Sequence, residues 1–137
     1  MAHIIQLATV PRFKQSINMT HEELLEKIEE ITIEIVIAKK QLRKIAYLSG
    51  KVTGLEPLVV EEKFAMDEFD LKNKGYWVFN PTQWIDNDCN WQMAMRLCLA
   101  ILPLCEVVYK QPDWAHSDGA KWENETAMRL GIMTVAL

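Results

Sequence analysis

The stretch "IAYLSGKVTGLEP", residues 45–57, decides the fold. "IAYLSG" is apolar, too short for a helix, and ends in a turn, so it reads as a buried strand. "KVTGLEP" is a loop punctuated by glycine. Pro57 suits the first turn of a helix, where its missing N–H would have no partner anyway. The positions Val60, Phe64 and Leu71 carry that helix to a stop at Gly75. A strand passing into a helix through a short loop is half of a βαβ unit.

Toward the C-terminus the pattern repeats. "YWVFNP" (76–81) is a second strand closed by Asn80-Pro81. "TQWIDNDCN" (82–90) is a loop, and "WQMAMRLCLAILPLC" (91–105) a helix with Pro103 near its end. "EVVYK" (106–110) is a third strand and "QPDWAHSDG" (111–119) the next loop. A helix follows over about Ala120 to Arg129, ends at Gly131, and "IMTVAL" (132–137) is a last strand. The expectation is an α/β fold with a parallel sheet of four to five strands and helices on both faces. Right-handed crossovers gather the loops after each strand at one sheet edge, where such folds bind ligands.

Toward the N-terminus, Thr20 and Glu23 make a capping box. Leu24, Ile28, Ile31, Ile35, Ala38 and Leu42 then form a helical seam, acidic at its start and basic at its end, as the helix dipole favours. "ITIEIVIA" (31–38) also alternates and is β-branched, so a strand is the rival reading. Ile33, Val36 and Ile37 widen the apolar stripe beyond what a lone surface helix needs. The helix is therefore expected to pack on two surfaces or to join subunits into a homo-oligomer. "HIIQLATV" (3–10) reads as a strand or packing arm stopped by Pro11. The chain divides into an N-terminal helical extension, 1–44, and a domain, 45–137.

A length of 137 residues and a net charge of −4 leave no basic footprint for nucleic acid. No apolar run reaches membrane-span length, and the N-terminus lacks signal-peptide features. The odd cysteine count (Cys89, Cys98, Cys105) suggests reduced thiols and a cytoplasmic setting. No ligand spacing points to a metal, and nothing calls for a cofactor.

Three loops meet at the expected binding edge. In the first, Gly50 and Gly54 let backbone amides approach a ligand, with Ser49, Lys51 and Thr53 beside them, although neither P-loop nor dinucleotide-binding order is present. In the second, Asn80 and Trp84 face the crevice. In the third, Trp114 is a stacking candidate, Asp113 and Asp118 flank Ser117, and Gly119 opens the turn before Glu123. A carboxylate at a helix start is held ionised by the dipole. That describes both a capping residue and a nucleophile, and spacing alone leaves both open. His116 reads as a solvated loop histidine.

Taken together, "AYLSGKVTG", "GYWVFNP", "MRLCLAILPLCEVVY" and "DWAHSDGAKWENETAMRLGI" resemble the nucleoside 2-deoxyribosyltransferase superfamily, in a branch of unknown function from bacterial and phage genomes. The resemblance covers about residues 45–137. Its most specific piece is a serine or aspartate six residues before a glutamate, with a glycine between. It implies a flavodoxin-like three-layer sandwich that cleaves or exchanges the N-glycosidic bond of a nucleoside or its 5′-monophosphate, as a homo-oligomer. Glu123 falls at the nucleophile, Tyr47 at the tyrosine that orients it, Ser117 at a phosphate-contacting serine, and residues 50–54 at the loop around the sugar-phosphate end. One departure stands out. Cys98 occupies the place of an aspartate eight residues before the third strand's acidic Glu106. A thiol cannot do a carboxylate's work. Either Asp86, Asp88 or Asp113 takes over, or the scaffold binds nucleotides without cleaving them.

Overall fold

The computed structural model describes residues 19–137, so "HIIQLATV" lies outside the described residues. Helix α1 (His21–Lys40) starts at the expected box: Thr20 Oγ1 accepts from the Glu23 N–H at 3.1 Å, and Glu23 Oε1 accepts from the Thr20 N–H at 2.9 Å. The strand reading of 31–38 is overturned. Leu24, Ile31, Ile35 and Ala38 are buried at helical spacing, while Ile33, Val36 and Ile37 stay about half exposed. The seam also ends sooner than expected. Leu42 lies beyond the helix in a left-handed turn (φ 62°), and the Arg43 N–H returns to the Ala38 carbonyl at 3.0 Å. The last helix closes in the same way on Gly131, where glycine takes the left-handed turn without the roughly 1–2 kcal/mol that a side chain adds.

The remaining elements are β1 (Lys44–Ser49), α2 (Pro57–Asn73), β2 (Tyr76–Phe79), α3 (Trp91–Ile101), β3 (Val107–Lys110), α4 (Asp118–Arg129) and β4 (Met133–Ala136). A 3-10 turn, Leu102–Leu104, ends α3 at Pro103. The four strands are all parallel in the order β2-β1-β3-β4, with Tyr47 opposite both Phe79 and Val108. This is the flavodoxin-like arrangement, in which the order reverses between β1 and β3.

Period-two alternation sorts the sheet's side chains into two cores. Ile45, Tyr47, Trp77, Phe79 and Val108 pack with α1, α3 and α4. Ala46, Leu48, Val78 and Val107 pack with α2. The N-terminal helix is thus one wall of the larger core. No helix among the described residues is long and apolar enough to cross a membrane.

Candidate functional site

A cavity open to solvent lies at the carboxyl ends of β1 and β2. Clefts at this edge of a parallel sheet are where such folds bind ligands. Leu48 and Gly50 bring β1 to it, Thr82 and Asp86 the loop after β2, Met95 and Cys98 helix α3, and Ser117, Gly119 and Glu123 helix α4.

Glu123 forms its floor and is only 6% exposed. Ser117 caps α4, its Oγ accepting from the Ala120 N–H at 3.1 Å. That leaves Glu123, two turns into the helix, free of capping duty on the buried face it shares with Ala120 and Ala127. Tyr47 and Ser49 alternate along β1 and so point the same way. The Tyr47 phenol donates to Glu123 Oε2, and the Ser49 hydroxyl donates to Oε1 at 2.6 Å. Both carboxylate oxygens are held, and neither partner is a cation.

The electrostatics follow from that choice. Burial pushes the Glu123 carboxyl up to about 7, against the opposite pull of hydrogen bonds from Ser49, Tyr47 and Cys98. The expectation that the helix start holds Glu123 ionised is corrected here, because desolvation outweighs it. Burial, then the neighbouring Cys98 and Glu123 charges, raise the Tyr47 phenol well above its usual range. Burial and the Glu123 charge likewise raise the Cys98 thiol. At neutral pH the phenol and thiol are therefore neutral, and Glu123 alone exchanges its proton. A carboxylate with these properties can act as a nucleophile or as an acid–base group.

The glycine loop touches the cavity through Gly50, Val52 and Thr53. Gly50 is required by close approach: a Cβ there would fall 1.9 Å from Gln111 Oε1. Lys51 and Gly54 do not line the cavity; the Lys51 N–H donates to Asp113 Oδ1 at 3.1 Å, and Gly54 turns the loop at φ 89°. Asp113 is also away from the cavity, paired with Lys63 at 2.9 Å. Partial burial pushes its carboxyl up, but the Lys63 and Lys51 hydrogen bonds win and its net shift is downward.

Asn80 is buried with both ends of its amide hydrogen-bonded. Its Oδ1 accepts from the Thr82 N–H and hydroxyl at 3.0 and 2.7 Å, and its Nδ2 donates to Glu68 at 2.9 Å. Trp84 packs against the larger core, and Trp114 lies under Lys110, whose Nζ is 4.3 Å from the ring centroid. Neither tryptophan lines the cavity, whereas Ser117 and Gly119 do. Gly119 lets α4 approach α3: a Cβ there would stand 3.2 Å from Met95 Sδ.

Sequence reasoning passed over Trp91, which lines the mouth and stacks on Trp122 at 5.9 Å and 14°. The available signal was Asn90, which caps α3 and so sets Trp91 at the first helical position on the binding edge.

The domain of unknown function DUF4406 matches residues 43–136, more than half of the sequence. The chain belongs to the DUF4406 family. Comparison with curated proteins and with solved structures gave no match. The DUF4406 region begins one residue before β1, so it holds the whole cavity wall while α1 precedes it.

Proposed function

We propose that this DUF4406 protein cleaves or transfers at the N-glycosidic bond of a (deoxy)nucleoside or its 5′-monophosphate, with Glu123 as nucleophile. One observation carries the reading: a buried carboxylate at the floor of a cavity at the binding edge of the sheet, held by Tyr47 and Ser49 and by no cation. Hydroxyl donors fix the oxygens without neutralising the charge, so the group keeps its affinity for an electron-poor anomeric carbon. Ser117, Gly119 and the start of α4 offer N–H and O–H groups to a phosphate, and Thr53 and Thr82 offer hydroxyls to a sugar. The stacked Trp91 provides an aromatic surface for a base. The resemblance to nucleoside 2-deoxyribosyltransferases supports the same assignment. The reading places the protein in the cytoplasm, where its three thiols stay reduced, as a homo-oligomer whose contacts use the exposed Ile33, Val36 and Ile37 of α1.

The test is a panel of the common deoxynucleosides and their 5′-monophosphates, with free base followed by chromatography. Base release that is lost in Glu123→Gln supports the assignment. Tight binding with the nucleotide recovered intact marks a binding protein instead, the outcome favoured if Cys98 in place of a carboxylate has removed catalysis.

A further inference from the structure

A glycosyl–Glu123 intermediate must be resolved by water or a second acceptor, and that acceptor must lose a proton. The Cys98 thiol beside Glu123 is neutral and raised by burial, so it takes no proton from water. Of the three alternative acids, Asp113 is tied to Lys63 and the Lys51 N–H outside the cavity, and Asp88 does not line it. Asp86 does, and its carboxylate has no hydrogen-bond or ion-pair partner among the described residues.

The loop that carries Asp86 is held firmly. Asn80 caps its first turn and is itself tied to the buried Glu68, which also accepts from Gln83 at 3.1 Å. The Ile85 N–H returns to the Pro81 carbonyl at 3.0 Å, and Trp84 and Ile85 pack against the larger core. A fixed loop thus carries an unpaired, exposed carboxylate at the cavity rim, while Glu123 lies buried at the floor.

We propose that Asp86 is the general base that resolves the glycosyl–Glu123 intermediate. The inference rests on the glycosidic reading above. In the first half, a Glu123 oxygen bonds to the anomeric carbon as the carbon–nitrogen bond breaks. The base leaves with that electron pair and is protonated by water at the mouth. In the second half, the oxygen of a water bonds to the same carbon while Asp86 takes its proton. The bond to Glu123 breaks, its electron pair returns to the carboxylate, and Asp86 releases the proton to solvent.

The experiment compares wild type, Asp86→Asn and Asp88→Asn on the same nucleoside and monophosphate panel. Asp86 is exposed and unpaired, so its asparagine variant keeps the fold. Expected in Asp86→Asn are a stoichiometric burst of base, then turnover slowed about a hundredfold. Intact-protein mass should show one added sugar unit, and azide should restore turnover by forming the glycosyl azide. Wild-type turnover in Asp86→Asn, slow turnover without a burst, or a burst in Asp88→Asn instead each overturns the role while leaving the Glu123 reading intact. No base release by wild type from any member of the panel overturns both.

Discussion

Two carboxylates meet the same sheet edge from successive parts of the chain and are treated in opposite ways. Glu123 is buried, receives hydroxyls from Tyr47 and Ser49, and has its carboxyl raised to about 7. Asp113, ten residues earlier, keeps partial solvent, receives the Lys63 ammonium and an amide, and has its carboxyl lowered. The difference lies in the partner. A cation stabilises the charged form and makes a fixed strut. Hydroxyls around a buried carboxylate leave the charge costly and the group reactive. Asp113 ties the glycine loop to α2, and Glu123 faces the ligand space that the loop borders.

The sharpest way to break this contrast is Glu123→Gln. Base release should fall at least about a thousandfold. Wild-type activity should fall with pH below about 7 as Glu123 takes up its proton. Stability should move the other way. A carboxyl raised from 4.5 to about 7 contributes stability that is full below 4.5 and lost as pH rises through 7. Glu123→Gln should therefore be stabilised over wild type at pH 8, by up to about 3 kcal/mol, with no gain at pH 4. Urea midpoints at the two pH values read this directly. A variant less stable at pH 8 would mean the charge is compensated after all.

Tyr47→Phe keeps the ring against Phe79, 5.2 Å between centroids, and removes only the donor. Loss of one such hydrogen bond should slow base release about a hundredfold. Because Tyr47 and Ser49 both pull the Glu123 carboxyl down, the acid limb of the pH–rate profile should shift to higher pH in Tyr47→Phe, and further in Ser49→Ala, the stronger of the two pulls. An unmoved limb would show that the hydroxyls place Glu123 without tuning it.

Much of this arrangement was legible in the chain. The strand–glycine–helix stretch at 45–57 gave the βαβ order. Tyr47, Ser49 and Glu123 stand out in the sequence, and the fold brings them into contact. What stayed hidden depended on contacts far apart in sequence. The Lys63–Asp113 pair spans 50 residues and the Gln111–Lys63 contact 48, so no local pattern announced that Asp113 faces α2. Asn80 looked like a ligand group because a turn asparagine has free polar atoms; Thr82 and a buried glutamate one helix earlier take them. Ile31 and Ile35 fitted two periodicities at once, and only packing on β1 and α3 chose the helix.

Gly50→Ala sharpens the Asp113 side of the comparison. The added methyl would meet Gln111, which is itself fixed by Lys63 Nζ at 2.8 Å and Asp67 at 2.9 Å. Overpacking against a held side chain should cost about 2–3 kcal/mol. In a Gln111→Ala background the same change should cost much less, because the atoms it strikes are gone. Equal costs in the two backgrounds would place the requirement for glycine in the backbone.

The smallest expected effect discriminates best. Asp113→Asn removes one charge from a pair whose side chains remain 33% and 22% exposed, so solvent screening limits the loss to about 1 kcal/mol at pH 7. A carboxyl lowered in the fold contributes stability above its unfolded value of 3.8 and loses it as pH falls through the folded one. The gap between variant and wild type should therefore narrow toward pH 3, opposite to the Glu123→Gln pattern. Activity should stay within about threefold, since a strut that holds a loop by several bonds tolerates the loss of one charge. Should Asp113→Asn instead abolish base release with its fold intact, Asp113 would belong to the chemistry. The division between a reactive carboxylate and a bracing one would then fail at the residue that defines it.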